Sequence, residues 1–116
     1  MESELPILDR SILRESLGDD QELIDEIYQL FVTTAPEIME SLLKAVKDED
    51  LETVKNRAHS LKGSAGNIGA LAMQESMRQV ENACRAQDSD RLAMTVNEAK
   101  TCYSDIMQEL KPGGTG

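Results

Sequence analysis

The sequence is poor in aromatic residues. It has no tryptophan, one phenylalanine and two tyrosines, so aromatic residues make up only 3% of its 116 positions. A hydrophobic core must therefore be built from Leu, Ile, Val, Met and Ala, which is the composition of a helical bundle. The length corresponds to a single domain with one core.

Long apolar runs are also absent. No stretch approaches the ~20 apolar residues that a membrane-spanning helix needs. The first residues, Met-Glu-Ser-Glu, are acidic, whereas a secretory signal peptide begins with basic residues. We therefore expect a cytoplasmic protein that does not insert into a membrane.

Cysteine is scarce. Cys84 and Cys102 are the only two, and their spacing matches neither a C-x-x-C motif nor a set of metal ligands. In an intracellular chain such a pair is typical of small buried hydrophobic residues. We expect neither a disulfide, nor a thiol active site, nor a metal site.

Positive charge is in deficit. The chain has 22 acidic residues against 12 Lys and Arg, which gives a formal net charge of −10. Such a surface repels a phosphate backbone and an anionic lipid surface, so nucleic acid and membrane partners are not expected. The charge itself needs no explanation beyond solubility.

Apolar residues recur at helical spacing along most of the chain. Asp9 is placed to cap a short first helix, which Gly18 ends. Asp19 followed by Glu22 resembles the capping box of a second helix. Pro36 interrupts that helix, so the segment is either two helices or one kinked helix. Asp50 is placed to cap the helix that follows.

Four apolar stripes indicate four long amphipathic helices. The stripes comprise Leu23, Ile27, Leu30 and Phe31, continued by Ile38, Met39, Leu42 and Val46; Leu51, Val54, Ala58, Leu61, Ala65 and Ile68; Met73, Met77, Val80 and Cys84; and Leu92, Val96, Ala99, Tyr103, Ile106 and Leu110. No segment alternates with the period of a strand. Short connections between long helices predict an all-α fold, an antiparallel four-helix bundle with a short N-terminal helix. We place the domain at residues 9–110, after an extension over 1–8 and before a flexible tail over 111–116.

His59 is the only histidine in the chain. A helical wheel places it roughly 125° from the centre of the stripe on its own helix, so it is predicted to face water. Lys55 and Lys62, four residues before it and three after it, are its neighbours on the helix surface. Gly63, Gly66 and Ala70 fall on the same side. Two lysines and a surface patch of residues with little or no side chain are therefore predicted to surround the imidazole.

The glycines on this face need an explanation, because each lowers the stability of a helix by about 1 kcal/mol relative to alanine. Their alternative interpretation is that Gly63 to Gly69 simply end the helix. Ala65 and Ile68 favour a helix that continues, because they keep the apolar register. The close approach of another protein then explains the missing side chains. Without these neighbours, His59 would be interpreted as an ordinary surface histidine.

An exposed imidazole is suited to phosphoryl acceptance. At its reference pKa of about 6.5 one ring nitrogen carries a free lone pair at neutral pH, so no general base is required. A nearby ammonium would screen the phosphoryl oxygens, which is the electrostatic help on which phosphoryl transfer mainly relies. Lys62 is the first candidate for this role and Lys55 the second, although either lysine could be an ordinary solvated residue.

The run from Ala58 to Ala70, AHSLKGSAGNIGA, resembles the signature of histidine phosphotransfer (HPt) domains of bacterial multistep phosphorelay, or two-component, systems. That signature is H-x-L-K-G-S-[SA]-x-x-[hydrophobic]-G-A, and every position matches. The helical pattern from Asp9 to Leu110 also resembles the family in length and order. The resemblance implies a phosphorelay intermediate, which accepts phosphate from an aspartyl phosphate on one receiver domain and passes it to another.

The resemblance also implies residue roles. His59 would carry the phosphoryl group on Nε2, Lys62 would assist electrostatically, and Gly63 would let the receiver come close. Ser64 would orient the imidazole, although it could equally bond to its own helix. A structural role is favoured for Asn67 and Gly69. The predicted receiver docking surface as a whole consists of Lys55, Gly63, Ser64, Gly66, Asn67 and Ala70.

The family resemblance further implies the partners. They would be response-regulator receiver domains and a hybrid sensor histidine kinase, with this chain as a monomer. Mg²⁺ and the aspartate would belong to the receiver, so this chain would need no cofactor. An independent protein is favoured over an excised domain of a hybrid kinase, although the two would look alike in sequence.

The sequence also bears on three rival functions. A non-catalytic helical interaction module, with His59 incidental, remains the alternative. A di-metal carboxylate bundle requires Glu-x-x-His on two helices, and the only histidine here follows Asn56 at the required spacing. An autonomous ATP-dependent kinase is not expected, because the chain has no phosphate-cradling glycine loop and no room for a nucleotide-binding domain. We therefore expect a phosphocarrier.

Overall fold

The structure, a computed structural model, describes residues 5–111, and all its regular elements are helices. They are α1 (Ser11–Leu17), α2 (Gln21–Lys47), α3 (Leu51–Ile68), α4 (Leu71–Ala86) and α5 (Ser89–Leu110). Residues 1–4 of the predicted extension and residues 112–116 of the predicted tail lie outside the described part of the chain.

The four long helices form the predicted antiparallel bundle. Connections of two or three residues join α2 to α3, α3 to α4 and α4 to α5, which makes consecutive helices antiparallel neighbours. The α3 helix packs against both α2 and α4, and α1 lies across one end of α2 and α3. Within residues 5–111, no helix is long and apolar enough to cross a bilayer.

Aspartate side chains cap α2, α3 and α5. Asp20, Asp50 and Asp88 each accept a hydrogen bond from the backbone N–H three residues later, at 3.1, 3.2 and 3.1 Å. The N-cap position of α1 is Arg10, one residue after the predicted Asp9, and Asp9 Oδ1 accepts from both the backbone N–H and the hydroxyl of Ser11. The prediction of Asp19 as the cap of α2 was wrong by one residue, because adjacent aspartates offered two possible starts.

Pro36 does not divide the second helix. The α2 helix is continuous from Gln21 to Lys47. The segment is therefore one helix and not two. Proline cannot donate a hydrogen bond to the carbonyl four residues earlier. One turn before it, the Thr33 and Thr34 hydroxyls both donate to the carbonyl of Leu30, at 3.0 and 2.8 Å.

The core consists of aliphatic and methionine side chains, as the composition predicted. All the predicted stripe residues of α3 and α4 are buried except Leu51, which is partly buried. In α5, Tyr103 and Leu110 are also only partly buried. Cys84 and Cys102 are free thiols, and burial raises the pKa of both.

The predicted stripe in the first half of α2 was wrong at two of its four residues. Leu23 and Leu30 are exposed, whereas Phe31 is buried as predicted and Ile27 is partly buried against the core. The N-terminal half of α2 carries so many apolar residues that two overlapping stripes fit the helical period. The buried face contains Ile24 and Tyr28 beside Phe31.

Gly69 holds the end of α3 against the start of α1. Its φ of +91° is in the left-handed region, and its carbonyl accepts a hydrogen bond from the N–H of Asp9 at 2.8 Å. A Cβ at this position would collide with the backbone oxygen of Asp9. Glycine is therefore required both by conformation and by space.

We predict opposite effects on stability for two glycine substitutions. Gly69→Ala should lower the free energy of unfolding by roughly 1–3 kcal/mol, because it combines backbone strain with a collision. Gly63→Ala should raise it by about 0.5–1 kcal/mol, because Gly63 is inside α3 and a Cβ there meets nothing within 4 Å. Urea denaturation of the two variants measures both changes. Equal stabilities would contradict the assigned roles.

Candidate functional site

His59 lies in the middle of α3 and points away from the core. Its side chain is 71% exposed, whereas Ala58, the residue before it, and Leu61, two residues after it, are fully buried. This agrees with the helical wheel, because the apolar stripe of α3 fixes which side of the helix the imidazole occupies. The ring is therefore accessible to a partner molecule.

A carboxylate on the neighbouring helix holds the imidazole. Nδ1 of His59 lies 2.9 Å from Oε2 of Glu81, in the middle of α4. The Glu81 side chain is only 2% exposed, although it carries a charge. The hydrogen bond therefore joins an exposed ring to a buried partner.

Lys62 contacts the other oxygen of the same carboxylate. Its Nζ lies 2.7 Å from Oε1 of Glu81, so the carboxylate bridges the lysine and the histidine of α3. A buried carboxylate requires such partners, because an unpaired buried charge is strongly unfavourable. The α3–α4 interface thus contains a compact cluster of His59, Lys62 and Glu81.

Glu81 is ionised in this cluster. Burial by itself raises the pKa of its carboxyl group, but hydrogen bonds and charge interactions with Lys62 and His59 outweigh burial and lower the pKa below its ordinary value. An ionised carboxylate only accepts hydrogen bonds, so Nδ1 of His59 must be the donor. In a neutral ring, this leaves the lone pair on Nε2.

Three residues of the predicted docking surface have different environments. Gly63 is exposed, with open space around its Cα. Gly66 is partly covered by the side chain of Gln74 from α4, so its missing side chain lets the two helices approach each other. Ala70 is fully buried, and its assignment to a docking surface was wrong. It lies beyond the end of α3, at the N-cap position of α4, so the wheel of α3 did not apply to it.

The remaining predicted residues lie around the cluster. Lys55 is one turn before His59 and pairs with Glu52 at 3.8 Å. Asn67 is exposed and Ser64 is half-buried. The family resemblance implied Ser64 as the residue that orients the imidazole, but the group bonded to Nδ1 in the structure is the carboxylate of Glu81.

Glu81 was missing from the residues predicted from sequence. It lies about 70° from the centre of the apolar stripe formed by Met73, Met77, Val80 and Cys84, on a wheel of about 100° per residue. A charged residue that is buried beside such a stripe requires a partner. Its partner on α3 could not be identified without the packing of the two helices.

Comparisons with known proteins agree with this site. The family model of the Hpt domain matches residues 26–110. A search of curated protein sequences found no significant match. Among solved structures, histidine-containing phosphotransfer protein B from Pseudomonas aeruginosa is similar, with a TM-score of 0.80, 22% identity and 96% of each chain covered.

Two further structures share the fold. The HPT domain of a sensor hybrid histidine kinase from Shewanella has a TM-score of 0.79 at 18% identity, with 92% of each chain covered. The histidine-containing phosphotransfer protein ZmHP2 from maize has a TM-score of 0.73 at 22% identity, with 92% of this chain and 86% of its own covered. The bundle, the exposed histidine and the family match together show that this chain belongs to the Hpt domain family and is a phosphotransfer intermediate of a phosphorelay.

Proposed function

We propose that Nε2 of His59 accepts a phosphoryl group from the aspartyl phosphate of one receiver domain and passes it to the aspartate of another. The observation that supports this most directly is the hydrogen bond from Nδ1 to Glu81, which leaves Nε2 with the lone pair on an exposed ring. The residue that reacts is therefore presented to a partner, while the residue that holds it is buried.

The transfer step conserves the proton on the ring. The Nε2 lone pair attacks phosphorus, the N–P bond forms, and the P–O bond to the receiver's aspartate breaks, so that the aspartate leaves as a carboxylate. The ring keeps the hydrogen on Nδ1 and becomes a positively charged phosphoimidazolium. In the reverse step, an aspartate attacks phosphorus and the ring leaves as neutral imidazole.

Glu81 is proposed as the positioning residue for both directions. Its carboxylate orients the ring, keeps the hydrogen on Nδ1, and lies 2.9 Å from the nitrogen that becomes part of a cation. Since phosphoryl transfer depends mainly on positioning and electrostatics, a fixed counter-charge at this place favours the phosphorylated ring. Glu81 touches the ring and not the phosphoryl group.

Lys62 is proposed to screen the negative charge of the phosphoryl oxygens. Its ammonium group shares the Glu81 carboxylate with the imidazole and therefore lies beside the ring. Lys55 remains the second candidate, on the opposite side of His59 along α3. Gly63 leaves open space next to this face, where a receiver can approach.

The charge distribution supports an acidic partner at this face. Residues 51–86, which contain α3 and α4, have five Lys and Arg against three Asp and Glu, whereas the other residues have seven against nineteen. A phosphorylated receiver site carries the negative charge of its aspartyl phosphate. It is therefore attracted to this pair of helices and repelled by the remaining surface.

The wider setting is part of the same proposal. We expect a monomer in the cytoplasm, with receiver domains and a hybrid sensor histidine kinase as its partners. Mg²⁺ would be supplied by the receiver, because phosphoryl transfer to and from an aspartate needs a cation on that side. This chain would act as a carrier that contributes the histidine and its positioning groups.

The relay is tested by incubation with a receiver domain that carries a ³²P-labelled aspartyl phosphate. Wild-type protein should take up acid-labile, alkali-stable label, and His59→Gln should take up none because no other residue offers the same nitrogen. His59→Gln should stay folded, since an exposed side chain contributes little to stability. Circular dichroism provides that control. Label on folded His59→Gln would show that another residue is the acceptor.

The role of Glu81 is tested by determining which ring nitrogen of His59 carries the hydrogen. Long-range ¹H–¹⁵N NMR identifies this tautomer at a pH high enough for the ring to be neutral. In wild type the hydrogen should be on Nδ1. Glu81→Gln should keep it there, because the amide oxygen can still accept, whereas Glu81→Ala should shift hydrogen to Nε2. A wild-type ring with its hydrogen on Nε2 would refute the proposed positioning.

A further inference from the structure

Arg85 is a second cation beside the Glu81 carboxylate. It lies one turn after Glu81 on α4, and its Nη2 is 3.8 Å from Oε2 of Glu81. That oxygen is the one that accepts the hydrogen bond from His59. The two distances together place Nη2 within about 6.7 Å of Nδ1 of His59. The guanidinium therefore lies in the immediate surroundings of the reactive ring.

The ion pair of Arg85 is loose. Lys62 contacts Glu81 at 2.7 Å, whereas the 3.8 Å separation from Arg85 is too long for a hydrogen bond. The Arg85 side chain is 59% exposed, and its hydrogen bond, at 3.2 Å, is to Asn82 on its own helix. Arg85 can therefore move without breaking a buried contact.

The cluster has more positive groups than its single carboxylate can neutralise. Lys62 already pairs closely with Glu81, and the ring becomes a cation when it is phosphorylated. Once a phosphoryl group is on Nε2, its oxygens are a second strong acceptor that the exposed guanidinium can bind. A guanidinium can donate two parallel hydrogen bonds to phosphoryl oxygens, which an ammonium cannot do.

We propose that Arg85 leaves Glu81 and binds the phosphoryl group on His59, as a catalytic residue distinct from Lys62. This inference rests on the proposed function, because it requires phosphorylated His59. Lys62 would remain beside Glu81, close to the ring, and Arg85 would approach the phosphoryl group from α4. Phosphorylation would thus exchange one partner of Arg85 for another.

Arg78 on the same helix provides a matched control. It is exposed like Arg85, but it makes two hydrogen bonds to Glu75, at 3.0 and 2.6 Å, and pairs with that residue instead of Glu81.

The first test measures phosphate transfer from a phosphorylated receiver domain at several receiver concentrations. Arg85→Gln should lower the maximal rate about tenfold, by loss of one charge-assisted contact to the transferring group, with an apparent KM within about twofold of wild type. Arg85→Lys should restore part of the rate. Arg78→Gln should leave the maximal rate within about twofold.

The second test needs no protein partner. Phosphoramidate, a small phosphoryl donor, can phosphorylate His59 with loss of ammonia, and ³¹P NMR then reports the pKa of the phosphoryl group. A guanidinium in contact favours the dianion and lowers that pKa. Arg85→Gln should therefore raise it by about half a unit, whereas Arg78→Gln should not change it.

The possible outcomes are distinct. An unchanged maximal rate and an unchanged phosphoryl pKa in Arg85→Gln would overturn the proposal for Arg85. A change in KM alone would also overturn it, because Arg85 would then be a docking contact. Wild-type protein that accepts label from neither donor would refute the proposed function itself, and the role of Arg85 with it. Equal urea midpoints for Arg85→Gln and wild type control for folding.

Discussion

The site depends on one buried carboxylate. Glu81 brings a negative charge into the α3–α4 interface. It is tolerated there because Lys62 pairs with one of its oxygens and His59 donates a hydrogen bond to the other. The same carboxylate then orients an exposed imidazole. One side chain therefore belongs both to the contact between the two helices and to the reactive site.

This arrangement explains how a chain can carry phosphate on a single side chain. A neutral imidazole already has a nucleophilic lone pair, so the protein must supply only orientation, a counter-charge and access. Orientation and the counter-charge come from Glu81, and Gly63 leaves one side of the histidine open. In the proposed relay, the remaining half of the active site arrives with each receiver.

Much of this could be predicted from sequence, and the failures have physical causes. The regular stripe on α3 fixed the exposure of His59, because a 3.6-residue period determines both faces of a helix. The stripe on α2 was ambiguous, because more than one apolar face fits the helical period. The structure shows that Tyr28 and Phe31 lie on the buried face. Ala70 was misplaced because α3 ends before it. Glu81 required knowledge of which residues face each other across two helices, which no single-helix pattern contains.

The central claim is that Nε2 of His59, opposite the nitrogen held by Glu81, carries the phosphoryl group. The most direct measurement is the ³¹P–¹⁵N coupling in ¹⁵N-labelled protein after phosphorylation by a receiver domain. We expect a one-bond coupling to Nε2 of His59, with the hydrogen still on Nδ1. A coupling to Nδ1, or phosphorus bonded to any other residue, would contradict it.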